Sequence, residues 1–217
     1  MRLDALCRIP ISRFYRDWSV FDAVGRQCLP EAAAMASARG DDAVRCWSAG
    51  CASGEEPYTL VLAWRFRVAN DWPRLGYTVL ATDADETMIE RAEAACYGQS
   101  SLKDVPRSWC ERAFTRRGQL CCLDAEFRGS VDFRLQDIRQ AMPDDPFDVV
   151  LCRNLVFTYF DEGLQSRVLE RLRERIRPGG FLVLGGHEAL LAASIGLVPI
   201  APNLPISRRE MQTLRGS

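Results

Sequence analysis

Four short apolar runs, each ending in a polar or glycine-bearing turn, constrain the fold of this chain most. They are VRCWSA (Val44–Ala49), YTVLAT (Tyr77–Thr82), FDVVLC (Phe147–Cys152) and FLVLGG (181–186). Such near-continuous apolar strands belong to a sheet covered on both faces. Helical patterns lie between them. Glu55 to about Ala69 carries Leu60, Leu62, Trp64 and Phe66, and DADETMIERAEAA is amphipathic. Leu164, Val168, Leu172 and Ile176 form the stripe of another helix, which RPGG at Arg177–Gly180 is predicted to terminate. Weaker strand-like pieces fall at Leu120–Leu123 and Val131–Leu135. The first forty residues read as helical, through Phe14, Trp18, Phe21 and Val24. This alternation predicts an α/β, Rossmann-like domain: a mostly parallel sheet between helices, with ligands bound beyond the carboxyl ends of the strands.

Composition narrows the function classes. At 217 residues and 47% hydrophobic, the chain has ample material for one packed domain and is not a disordered segment. Its 28 basic and 29 acidic residues leave a formal charge of −1, so no basic footprint for nucleic acid is expected. Lys103 is the sole lysine, which makes arginine the background cation. Arg171, Arg173 and Arg175 alternate with Glu170 and Glu174 and read as a solvated helix face. Nine cysteines contain no C-x-x-C pair and His187 is the single histidine, so no metal is expected. The tract Ala189–Pro202 is too short to span a bilayer and is interrupted by Gly196 and Pro199. MRLDALCRIP has no apolar stretch resembling a secretory signal. A cytoplasmic protein with reduced thiols and no membrane insertion is therefore expected.

The residues that directly follow each strand are the candidates for chemistry. After the first comes GCASGEE (50–56), whose glycines let the backbone approach a ligand. It is neither G-x-G-x-x-G nor a P-loop, because no Lys-Ser/Thr follows. Ser53 and Glu56 have the S-x-x-E spacing of a capping box. That reading is favoured for Ser53, and for Glu56 it balances a ligand-binding one. Asp83 follows the second strand, where an acid commonly accepts hydrogen bonds from ribose hydroxyls. The alternative is a helix N-cap, a role for which Asp85 competes. Asp137, after Val131–Leu135, suits either a ligand or an ordinary loop. Arg153 and Asn154 follow FDVVLC, with Tyr159 further on, and packing explains such a polar pair poorly. Carboxylates around a glycine turn, without a phosphate-binding lysine, suit a nucleoside ligand lacking phosphates. S-adenosylmethionine is the leading candidate among several.

The strings RFYRDWSVFD, RCWSAGCASGEEPYTL, LATDADETMIERA, VDFRLQDIR, FDVVLCRNLVFTYF and RPGGFLVLGGHEAL resemble, in order, the motifs of CheR-type chemotaxis-receptor methyltransferases. The resemblance runs from about Ile9 to Leu190. It implies a Rossmann-like S-adenosylmethionine domain over 41–217, a helical segment over 1–40 contributing to the active site, and a small antiparallel insertion at about 114–133. It implies that Arg16 lies at the active site near the cofactor, with Ser12 just upstream. Glu56 and Asp83 match cofactor-binding positions, with Ala49, Gly50, Cys51 and Ala84 beside them. Asp137 and Ile138 match an asparagine–leucine pair next to the adenine, Arg153 and Asn154 match the C-R-N pair, and Tyr159 matches a tyrosine before Y-F. Four departures stand out: little of the family's N-terminal receptor-recognising domain, Pro10 for an asparagine, one extra residue before Tyr159, and Asp for Asn at 137.

Methyl transfer to a glutamate requires no general base, since that carboxylate is already ionised at neutral pH. Alignment and exclusion of water then carry the catalysis. The expected roles are Arg16 orienting the acceptor, Arg153 and Asn154 shaping the pocket, and Tyr159 placing a reacting oxygen. Arg16 or Arg153 is expected to grip the incoming carboxylate through a forked hydrogen bond. S-adenosyl-L-homocysteine is the expected product. Acceptors compatible with the sequence are the cytoplasmic part of a chemoreceptor, another protein, or a small carboxylate. A non-catalytic cofactor-sensing or partner-binding module is the alternative from another class. A nucleic-acid adenine methyltransferase fits poorly, because CRNL stands where N-P-P-aromatic is usual. Cys51 is read as a small residue lining the site, Trp47 as core, His187 as a packing or surface residue, and Arg116–Arg128 as a docking hairpin or an ordinary exposed turn.

Overall fold

The structure, a computed structural model, describes residues 12–188 and 196–211. Cys7, Pro10 and the 189–195 part of the apolar tract therefore lie outside the described residues. Seven strands form one sheet: β1 (Ala43–Ala49), β2 (Gly76–Asp83), β6 (Val131–Leu135), β7 (Phe147–Leu151), β8 (Ile176–Val183), β9 (Leu197–Pro199) and β10 (Ile206–Arg209). Their spatial order is β6-β2-β1-β7-β8-β10-β9. The first five are parallel, and β10 and β9 are added antiparallel at one edge. The chain leaves β1 toward β2 and β6 on one side, then returns to β7 on the other. A crevice opens where the order reverses, beyond the carboxyl ends of β1 and β7.

Alternation along the strands fills two cores. Val44, Cys46, Val149, Leu151, Phe181 and Val183 face one layer, with Phe21, Leu29, Leu60 and Leu62. Trp47, Ala49, Val150, Cys152, Leu182 and Leu184 face the other, with Val168 and Leu172. The period of two is intact, and both faces are dry. Helices α1 (Trp18–Ala23) and α2 (Leu29–Arg39), joined by a π-turn, lie on the first face with α3 (Glu55–Ala63). Helix α8 (Glu162–Arg175) covers the second face. Helix α4 (Glu86–Ala94) follows β2.

Several expectations need correction. Helix α8 stops at Arg175, and Ile176 already pairs with Phe147 in β8. RPGG thus lies inside a strand, at a register shift between Phe147 and Val149. A Cβ on Gly180 would fall 2.7 Å from the Asp148 carbonyl oxygen, so strand contact and not helix termination fixes that glycine. Trp18 is 66% exposed and Phe14 precedes the helix, so the amino-terminal stripe narrows to Phe21 and Val24. The small antiparallel sheet is β3 (Cys96–Gly98), β4 (Phe114–Arg117) and β5 (Leu120–Leu123) in the order β3-β5-β4. It begins upstream of the expected insertion, and Val131–Leu135 joins the main sheet beside β2. Gly118 and Gln119 form the exposed tip of the hairpin between β4 and β5, with Gly118 in the left-handed region.

The expectation of reduced thiols also fails: Cys96 and Cys122 form a disulfide. They sit directly opposite each other across β3 and β5, a register that their separation of 26 residues conceals. Cys28, Cys46, Cys51, Cys110, Cys121 and Cys152 are thiols. Among the described residues no helix is long and apolar enough to cross a membrane, and no His/Cys/Asp/Glu group is placed to hold a metal.

Candidate active site

A cavity of about 370 Å³ lies in the crevice at the strand ends, a volume within the range of small-ligand sites. Every residue expected at the site lines it except Ala49, which is wholly buried at the end of β1. Two walls of different construction meet there.

The first wall follows β1 and β2 and is built from backbone. The amides of Gly50 and Cys51 donate to the Thr82 carbonyl at 2.8 and 3.0 Å. The Asp83 carboxylate accepts from the amides of Ala52 (2.9 Å) and Asp85 (3.0 Å), fastening the glycine turn to β2. Each Asp83 oxygen keeps a second acceptor site, and the residue borders the cavity beside Ala84. Asp85 performs the N-cap role instead, accepting from Thr87 and Met88 at the start of α4. Gly50 has φ +76°, and a Cβ there would meet the Leu155 side chain at 2.5 Å. Burial pushes the Cys51 thiol well above its ordinary range, so it stays protonated and is no nucleophile.

The capping-box reading of Ser53 and Glu56 is overturned. Gly54, at φ 90°, occupies the N-cap of α3, and the Ser53 hydroxyl donates to Glu55 at 2.8 Å. Glu56 turns instead into the site, where it accepts from the Ser48 hydroxyl (2.8 Å) and from Arg153 Nη1 (3.1 Å). Burial raises the Glu56 pKa above the ordinary 4.5, with Arg153 and Ser48 opposing that rise.

The second wall follows β7 and is built from side-chain charge. The Arg153 side chain is 2% exposed. It donates from Nε to the Leu184 carbonyl (3.3 Å), from Nη1 to Glu56, and from Nη2 to the Arg16 carbonyl (3.0 Å) and Asp17 Oδ2 (2.8 Å). Its guanidinium also lies over the Phe21 ring, 4.7 Å from the centroid. The expectation that Arg153 forks onto an acceptor carboxylate is therefore corrected, because four of its five N–H donors are committed within the protein and a fork needs two. Arg16 and Ser12 line the cavity from the segment that Arg153 holds.

Asn154 adopts φ 52°, a conformation asparagine tolerates better than most residues. Glu188 stabilises that turn by accepting from the amides of Asn154 and Gly185 (both 2.8 Å) and from the Thr158 hydroxyl (2.6 Å). Tyr159 ends the short helix α7 (Val156–Tyr159) and is 72% exposed at the cavity mouth. Beyond β6, Asp137 receives both the backbone amide and the guanidinium of Arg139, and Ile138 packs beside it into the second core. Asp17 and Glu188 were missed from sequence because their partners are backbone amides and an arginine distant in the chain. Glu188 stands in GGHEAL, past the end of β8 at Val183. Its neighbour His187 is exposed.

A parallel sheet in this order, a glycine turn without a phosphate-binding lysine and an acid at the end of β2 define an S-adenosylmethionine-dependent methyltransferase of the Rossmann-like class. Residues 11–197 match the family described as CheR methyltransferase, SAM binding domain, and the chain belongs to that family. It is 30% identical over 197 residues to a chemotaxis protein methyltransferase of Listeria monocytogenes, covering 90% of this chain and 72% of that protein. It is 32% identical over 213 residues to the probable biofilm formation methyltransferase WspC of Pseudomonas aeruginosa, covering 96% and 49% respectively. It is 35% identical over 185 residues to an uncharacterized 104.1 kDa protein of Rhodobacter capsulatus, covering 84% of this chain but only 19% of that one. The chain thus spans less than two thirds of two of these three relatives.

Proposed function

We propose that this chain methylates a glutamate carboxylate on a protein, and that the cytoplasmic part of a chemoreceptor is its acceptor. The observation that carries the reading is the placement of Arg16. It lines the same cavity as Glu56 and Asp83, on a segment whose backbone Arg153 fixes. The residues suit the cofactor: Asp83 has acceptor capacity for ribose hydroxyls, Asp137 and Ile138 line the same cavity, and Glu56 offers an acid toward an ammonium group. When bound, S-adenosylmethionine supplies an electrophilic methyl group on a sulfonium.

The protein's own work is alignment. A glutamate acceptor is ionised at neutral pH and needs no base, and among the described residues none at the site is arranged as one. Glu56 is tied to Arg153, and burial keeps Cys51 and Cys152 as thiols. Arg16 orients the acceptor carboxylate, and Tyr159 closes the mouth and positions an acceptor oxygen. The names of the Listeria and Pseudomonas relatives support a signalling-protein acceptor.

The test is incubation with methyl-labelled S-adenosylmethionine and a cytoplasmic chemoreceptor fragment. Label should join the fragment as an ester that mild alkali releases as methanol. Alkali-stable label, or label confined to small molecules, would sink the assignment.

A further inference from the structure

We infer that Asp17 is a positioning residue: its carboxylate latches the Arg16-bearing segment to Arg153 and to the loop after β8, fixing the acceptor side of the cleft. The inference rests on the reading of Arg16 given above.

Asp17 stands at the N-cap of α1, where an aspartate ordinarily accepts from the second or third helical amide. It makes no such bond. Its Oδ2 instead accepts from Arg153 Nη2 at 2.8 Å and from the Gly186 amide at 3.3 Å. A Cβ on residue 186 would come within 3.3 Å of the Asp17 carboxyl carbon, so glycine there permits the approach. The helix forgoes its cap, and the carboxylate serves a contact between distant segments.

Backbone geometry shows what the latch restrains. Tyr15 and Asp17 have φ 55° and 60°, so two non-glycine residues in the left-handed region flank Arg16. Each costs about 1–2 kcal/mol and persists only where surroundings impose it. Upstream, Phe14 is wedged edge-on between Tyr97 and Phe114, and its amide donates to the Ser101 carbonyl. The Tyr15 amide donates to Thr59 Oγ1. Downstream, Asp17 supplies the anchor, while Arg153 holds the carbonyl of Arg16 itself. Without the carboxylate, the strained stretch relaxes from that end and Arg16 leaves its place. Arg153 keeps Glu56 and the Leu184 carbonyl, so the cofactor side is spared.

The experiment uses the full chain with D17N and D17A, and three readouts. Amide exchange in the peptide covering 15–21 should quicken in both variants, with peptides from β1 and β2 unchanged. The Kd for S-adenosylmethionine should stay within about threefold. Turnover on the chemoreceptor fragment should fall by roughly 10- to 100-fold, the scale of a misplaced reacting group. Unchanged exchange at 15–21 overturns the latch, as does D17N turnover within twofold of wild type when Arg16→Ala itself lowers turnover. Cofactor affinity falling in step with turnover also overturns it, because the effect is then a general loss of the pocket. If D17A does not fold, the near-isosteric D17N decides by the same criteria. Arg16→Ala separates the two ideas: unchanged turnover there, beside quickened exchange in D17N, removes Arg16 from the chemistry and leaves the latch standing.

Discussion

The two walls of the cleft solve the same problem with different materials. The wall after β1 and β2 is held by main-chain amides: Gly50 and Cys51 on the Thr82 carbonyl, Ala52 and Asp85 on Asp83. The wall after β7 is held by one buried arginine between two carboxylates, and by Glu188 gathering donors around Asn154. Backbone hydrogen bonds survive most side-chain substitutions, whereas a charge network fails when one member is lost. The wall after β1 and β2 should therefore tolerate substitution better than the wall after β7.

The largest effect is expected at Arg153. Arg153→Ala leaves Glu56 and Asp17 without their shared cation, and removing one partner of a buried pair costs about 3–5 kcal/mol. Urea unfolding measures it. A loss under 1 kcal/mol would show that the acceptor wall does not depend on its arginine.

Next comes the clip on the small sheet. Phe14, which seats the Arg16 segment, packs on Tyr97 of β3 and Phe114 of β4, and the Cys96–Cys122 disulfide ties β3 to β5. By loop-closure entropy a bridge across 26 residues contributes about 3 kcal/mol. Unfolding with and without dithiothreitol, with a Cys96→Ser/Cys122→Ser variant as control, should show that loss in the reduced protein alone. Equal stabilities would remove the clip from the support of the acceptor side.

A smaller effect belongs to the backbone-built wall. Gly54→Ala places a Cβ at φ 90°, 2.8 Å from Ala92 Cβ and 3.0 Å from the Tyr97 hydroxyl. The strain should cost about 1–3 kcal/mol. Calorimetry of cofactor binding should also show weaker affinity, because Gly54 sets the start of the helix that carries Glu56. Unaltered affinity would mean that the turn adapts as freely as a side chain does.

What the sequence disclosed follows the same division. Strands β1, β2 and β7 were legible because buried parallel strands are apolar without interruption, and the residues just beyond them fell in the cleft. Position in the chain was enough to find Asp83, Arg153 and Asn154. Ile176 was misassigned because an apolar residue four after Leu172 satisfies a helix as well as a strand, and only pairing with Phe147 decides. Ser53 failed as a cap because Gly54 takes the left-handed position one residue later. Strands β9 and β10 were missed because Leu197–Pro199 ends in proline and Ile206–Arg209 ends in two arginines, so neither reads as an apolar run. Asp17, Glu188 and the disulfide depend on contacts between segments far apart, which no local pattern encodes. The backbone wall was thus largely readable, and the charge-built wall in Arg153 and Asn154 but not in Asp17 or Glu188.

The smallest expected effect lies on the one residue common to both walls. Glu56 belongs to the helix after the glycine turn, yet it binds the arginine of the other side. Burial raises its pKa above the ordinary 4.5, and Arg153 and Ser48 oppose that rise. A carboxyl with a higher pKa in the folded state binds its proton more tightly there than in the unfolded chain. Its contribution is therefore fully present below about pH 4.5 and is lost as pH climbs through the folded value. Glu56→Gln abolishes the titration while keeping the shape. The stability of wild type minus that of the variant should then decline from pH 4 upward and level off once the folded carboxyl is ionised. Other carboxylates titrate in both proteins and cancel in the difference. A difference that grows with pH would mean that Arg153 outweighs burial, and that Glu56 belongs energetically to the charge-built wall alone.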